Sequence, residues 1–142
     1  MARPKAKELT ERELEIMHVF WQDGRITANQ VRDAMAKNGR ELAYTTVATL
    51  IKILTEKGFI RQTNDDRPFE YEPIRSFDEV SGSLLSDVVH KVFQGSRTQL
   101  LMRLMDQERL SESEVGMLQK LLQQQDHSSK RKRTDAEEQK DA

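Results

Sequence analysis

Apolar residues recur at helical spacing three times in the first sixty positions, switch to alternation, and then return to helical spacing. Leu14, Met17, Val19, Phe20 and Trp21 follow Thr10, a natural N-cap; Glu13 three residues on completes a capping box, and Asp23-Gly24 ends the helix. Arg25-Ile26-Thr27 is a short link with room for a strand of a few residues, and Thr27 is the next N-cap. A second helix is predicted from Ala28 to about Lys37, with Val31, Ala34 and Met35 inward, closed by the Asn38-Gly39 turn. In a third, Val47, Leu50, Ile51 and Leu54 form one apolar stripe, and Gly58 stands where a left-handed C-cap belongs.

Past Gly58 the period becomes two. Residues 59–63 and 69–74 suit strands; in the second, Phe69 and Tyr71 alternate with Glu70 and Glu72. The polar run 64–68 between them makes a hairpin with Arg67 at its tip. From Ser76 a helix carries Val80, Leu84, Leu85, Val88, Val89, Val92 and Phe93 up to Gly95. A short helix holds Leu100, Leu101, Leu104 and Met105. A last one opens on a Ser111/Glu114 capping box and continues through Val115, Leu118, Leu121 and Leu122. From Asp126 no large apolar residue follows, and the Lys130–Arg133 run precedes an acidic end, so residues 126–142 are predicted to form a disordered tail.

Helix, short strand, helix, turn, helix and hairpin is the order of a winged helix-turn-helix. The expected fold is mainly α: a winged-helix DNA-binding domain over 1–75 and a helical dimerisation segment over 76–125. Such proteins set the second motif helix, here the third of the chain, in the DNA major groove. Its face away from the apolar stripe offers Tyr44, Thr45, Thr46, Thr49 and Lys52. Threonines can meet base edges through the hydroxyl and thymine through the methyl. Lys52, Arg61 and Arg67 on the wing are candidates for phosphates. The competing reading is a winged helix that binds only proteins, which would need neither a row of hydroxyls nor a cationic wing.

Composition narrows the remaining classes. The absence of cysteine excludes disulfides, thiol catalysis and cysteine-based metal sites, and fits a reducing cytoplasm. His18, His90 and His127 are scattered, so no metal site is expected. No phosphate-binding glycine loop, paired carboxylates or activated serine is present, so neither an enzyme nor a cofactor or small-molecule ligand is indicated. No apolar run could cross a bilayer and none follows the basic start, so a cytoplasmic location is expected. Net charge is −1, so DNA affinity must depend on where charges sit rather than on bulk charge.

The apolar arc of the helix bearing Leu84, Leu85, Val88, Val89, Val92 and Phe93 is too wide for one small neighbour. Three short helices cannot enclose it, and no disulfide or metal can staple it. A second copy is the expected cover, with Leu100, Leu101, Leu104, Leu118, Leu121 and Leu122 completing the shared core across a two-fold axis.

Residues 42–47 (Leu-Ala-Tyr-Thr-Thr-Val), 56–60 (Glu-Lys-Gly-Phe-Ile) and 13–17 leading to Trp21 resemble the BlaI/MecI penicillinase-repressor family. The resemblance covers about residues 9 to 123 and includes Gln94-Gly95 and Leu110-Ser111. It implies a homodimeric repressor on a palindromic double-stranded operator near β-lactamase or related genes, induced when a membrane sensor protease system leads to repressor cleavage. The family's cleavage bond aligns with Arg103-Leu104. Family members carry cations where Thr45, Ala48 and Ile53 stand here, so neither their operator nor their affinity is carried over. Their Asn-Phe bond is also absent, so the protease specificity is not carried over either. The terminal cysteines of a copper-responsive branch are missing, which excludes that kind of metal sensing.

Overall fold

The computed structural model describes residues 8–107 and 109–140, with side chains described as far as Asp126. The elements run α1 (Glu11–Asp23), β1 (Ile26–Thr27), α2 (Ala28–Lys37), α3 (Tyr44–Glu56), β2 (Ile60–Gln62), β3 (Glu70–Pro73), α4 (Phe77–Lys91), α5 (Arg97–Gln107) and α6 (Glu112–Lys140). This is the winged-helix order, mainly α, followed by helices. The chain divides into two compact units, Met1–Asp87 and Val88–Ala142, the division falling inside α4. The segment expected to be a disordered tail over 126–142 continues helix α6 as far as Lys140, and its side chains beyond Asp126 lie outside the described residues.

The caps form where small polar side chains precede apolar runs. Thr10 accepts from the Glu13 amide at 3.2 Å. The expected capping box is only half made there, because the Glu13 side chain is drawn instead to Lys57. A complete box forms at α2, where Thr27 and Gln30 exchange side-chain-to-backbone bonds. Another forms at Ser111 and Glu114. At the end of α3 Gly58 takes φ +83°, its amide donating to Thr55 and that of Phe59 to Leu54. That paired pattern satisfies the last carbonyls and requires a left-handed residue, which glycine adopts without a Cβ penalty.

The three strands form an antiparallel sheet in the order β1-β3-β2, shorter than the predicted runs. Ile26 pairs with Tyr71, Arg61 with Glu72 and Gln62 with Tyr71. Successive side chains point to opposite faces. Ile26, Ile60 and Tyr71 therefore turn toward the helices, and Arg61 and Glu72 away from them. The core of this unit joins Ile16, Met17, Val19 and Phe20 of α1, Val31 and Met35 of α2, and Val47, Ile51 and Leu54 of α3, with Ile26, Phe59, Ile60 and Val80. Trp21, expected in the core, sits at its edge instead: its indole N–H donates to the Arg75 carbonyl at 2.9 Å and its ring meets Phe77 edge-on. A buried indole N–H needs an acceptor, and the segment entering α4 supplies it.

Candidate nucleic-acid interface

At 3.6 residues per turn, burying Val47, Ile51 and Leu54 turns Thr45, Thr49, Lys52 and Glu56 directly outward, and all four are exposed. Tyr44 and Ala48 lie on the shoulder toward the wing, and Thr46 on the opposite shoulder, beside Leu50 and Ile53. The hydroxyls are not equivalent. Thr49 Oγ1 donates to the Thr45 carbonyl at 2.8 Å, so outward it offers only acceptor lone pairs and a methyl. Lys52 forms no ion pair among the described residues.

A cleft of about 590 Å³ separates α3 from the wing. Its walls include Thr27 and Asn29 at the start of α2, Tyr44 and Ala48 on α3, and Arg67 and Tyr71 on the wing. The first backbone amides of α2 have no intrahelical acceptors, so this wall is electropositive. Burial, and then the neighbouring Tyr44, push the Tyr71 phenol above its ordinary value, which keeps it a neutral donor. Asn64 shapes the wing turn: its amide nitrogen donates to the Asp66 and Pro68 carbonyls, and its oxygen accepts from the Glu70 amide. Arg67 extends from that turn, its guanidinium 5.6 Å from the Phe69 ring centre.

Arg61 does not join this group. It lies on the outer face of the sheet, with its Nε 2.6 Å from Glu72 Oε1. The second carboxylate oxygen of Glu72 lies 3.5 Å from Arg25. The hydrogen bond from Arg61, followed by the charges of Arg61 and Arg25, holds the Glu72 carboxyl below the ordinary range. Of the residues expected to meet DNA, Tyr44 and Arg67 line the cleft; Asn29 and Tyr71 line it as well and were not among them. The signals that could have found them are the position of Asn29 just after the Thr27 cap and the alternation that places Tyr71 opposite Glu72.

Most of the apolar residues assigned to dimerisation are exposed in the single chain: Leu84, Leu85, Val88, Val92, Leu101, Leu104, Leu118, Leu121 and Leu122. Val89 is buried and Phe93 partly so. The Arg103–Leu104 bond lies within helix α5. Among the described residues no cluster of His, Cys, Asp and Glu could hold a metal, and no helix is long and apolar enough to cross a membrane.

A sequence profile described as penicillinase repressor matches residues 9–124. The chain belongs to the penicillinase-repressor family. This is a family of DNA-binding transcriptional repressors, not of enzymes. Among its relatives, the transcriptional regulator BlaI of Mycobacterium tuberculosis is 32% identical over 120 residues, covering 83% of this chain and 85% of that protein. The methicillin resistance regulatory protein MecI of Mammaliicoccus sciuri is 26% identical over 118 residues, covering 83% and 95%. The solution structure of the DNA-binding domain of the repressor BlaI matches 54% of this repressor and 93% of its own length, at 26% identity and a TM-score of 0.46.

Proposed function

We propose that this repressor acts as a homodimer on a palindromic double-stranded DNA operator, with α3 in the major groove and the wing against the flanking backbone. The observation that carries the reading is the outward strip of Thr45, Thr49 and Lys52 beside a cleft edged by Arg67 and the N-terminus of α2. Thr45, Thr49 and Tyr44 are the candidates for base edges, with Thr46 at the margin. Lys52 and Arg67 are the candidates for phosphates. The exposed leucines and valines of α4–α6 are the candidates for the two-fold interface, since large apolar side chains left exposed in number mark an association site. Two copies present two recognition helices to half-sites about one DNA turn, ~34 Å, or a multiple of it apart.

The penicillinase and methicillin-resistance names of its relatives support β-lactamase or related genes as targets. Inactivation by a membrane sensor protease system would cut at Arg103–Leu104. That bond is helical, so α5 has to open locally before a protease can hold it extended. A gel-shift titration against the DNA upstream of the protein's own gene, with excess unrelated DNA, tests the core of this reading. A discrete complex that survives the competitor is expected, and binding indifferent to sequence would refute it.

A further inference from the structure

The threonine hydroxyls on the exposed side of α3 differ in what they can still do. Thr49 Oγ1 gives its one hydrogen to the Thr45 carbonyl, 2.8 Å away and four residues back. This is local helix chemistry, and Thr55 makes the same bond to the Ile51 carbonyl. Thr45 and Thr46 stand in the first turn of α3 and have no helical carbonyl four residues before them. Among the described residues their hydroxyls form no hydrogen bond, so each keeps a donor as well as its acceptor sites. The Tyr44 phenol likewise can donate or accept. Of the four candidates for base edges, Thr49 alone faces outward with its hydrogen already committed.

The major-groove edges of the bases sort by the same property. Adenine presents its N6 amino group and cytosine its N4 amino group as donors, whereas guanine presents only the acceptors N7 and O6, and thymine the acceptor O4 beside its methyl. A hydroxyl that can only accept bonds the two amino groups and meets the guanine and thymine oxygens lone pair to lone pair. To serve either of those, the Thr49 hydrogen has to leave the Thr45 carbonyl and turn outward, which gives up about one net hydrogen bond. A free hydroxyl, as on Thr45, turns to suit whichever edge it meets and makes no such distinction.

We infer that Thr49 makes α3 selective for an amino-bearing base, adenine or cytosine, at the position it meets, and that the Thr45 carbonyl sets this selectivity from within the helix by holding the hydroxyl hydrogen. Thr45 and Thr46 add contacts without it. The inference rests on the reading of α3 as the helix in the major groove and adds to that reading the chemistry of one base.

The full-length protein and its Thr49→Val and Thr49→Ser variants are each used to select sequences from a randomised DNA duplex. Thr49 is exposed, so neither change disturbs the core. Valine keeps the branched shape and removes the acceptor; serine keeps the hydroxyl and removes the methyl. The unaltered protein should restrict one position to adenine or cytosine, Thr49→Val should lose that restriction, and Thr49→Ser should keep it. At that position a base lacking the amino group, purine for adenine or 2-pyrimidinone for cytosine, should weaken binding of the unaltered protein roughly three- to tenfold, the worth of one net hydrogen bond. The same analogue should leave binding of Thr49→Val unchanged. An unchanged selection profile for Thr49→Val, or a loss of preference at guanine or thymine instead, overturns the inference and leaves the operator reading standing. Loss of the preference in Thr49→Ser as well also overturns it, by assigning the selectivity to the methyl. An unaltered protein that selects no sequence overturns both.

Discussion

Lys57, just past the end of α3, reaches across to Glu13 in the first turn of α1, and its ammonium donates to both carboxylate oxygens at 2.7 and 3.0 Å. The same ammonium bonds the Glu8 carbonyl at 2.9 Å, so one side chain ties the entry of α1 to the exit of α3. Glu13 is 3% exposed. Removing Lys57 leaves a carboxylate buried without its cation, which costs ~3–5 kcal/mol where a buried pair is broken. Lys57→Met should therefore lower the denaturant midpoint strongly, whereas the double variant Lys57→Met/Glu13→Leu should recover much of the loss. Equal midpoints for the single and double variants would show that the pair is not the source.

The two wing arginines should behave differently. Arg67 stands at the mouth of the cleft, while Arg61 sits on the outer sheet face against Glu72. Arg67→Ala and Lys52→Ala should each weaken binding to all sequences and reduce the salt slope by about 1. Arg61→Ala should leave the slope unchanged. Salt titrations of operator binding measure this, and a lower slope for Arg61→Ala would return that residue to the DNA face.

The helices were legible because Thr10, Thr27, Ser111 and Gly58 act through local backbone chemistry that spacing alone reveals. So was the wing, from the alternation of Phe69 and Tyr71 with Glu70 and Glu72. What spacing alone did not reveal are the long-range partners. Glu13 satisfies every local rule for a capping box, yet a lysine 44 residues on outcompetes the Thr10 amide. Trp21 looks like core until Arg75, 54 residues away, offers its carbonyl. Arg61 is a plausible phosphate ligand by type, and only the Arg61–Glu72 register shows its side chain turned away and engaged. At α3, Tyr44 and Thr46 share the non-apolar positions but fall on opposite shoulders, which the stripe by itself did not separate.

The Arg61–Glu72–Arg25 cluster predicts a pH response of known sign. The Glu72 carboxyl is held below its ordinary value by the Arg61 hydrogen bond first and by the two arginine charges. A carboxyl depressed in the folded state contributes stability that is complete above the unfolded carboxylate value and disappears as pH falls through the lower folded value. The Glu72 side-chain carbon, followed by NMR, should titrate below pH 4.5, the ordinary carboxyl value. Arg61→Ala should move that midpoint upward. An unchanged midpoint would mean that the contact does not persist in solution.

Leu85 and Val89 stand one turn apart on α4 and should separate assembly from folding. Leu85 is 54% exposed in the single chain, whereas Val89 is 9% exposed and already buried by its own copy. An aspartate at 89 would therefore lie unpaired inside the monomer, so that variant should lose thermal stability whatever its oligomeric state. An aspartate at 85 is hydrated in the monomer and desolvated only where a second copy covers it. If the proposed two-fold interface includes this helix, the charge enters twice, and at ~3 kcal/mol for a buried unpaired charge the dimer should weaken at least ~100-fold. Leu85→Asp should then sediment as a monomer with the far-ultraviolet spectrum of a folded chain. Its operator affinity should fall toward that of one half-site, because a single recognition helix and wing remain. A Leu85→Asp protein that stays dimeric at micromolar concentration would place the two-fold contact elsewhere, whereas one that is monomeric yet binds the full operator undiminished would separate repression from dimerisation altogether.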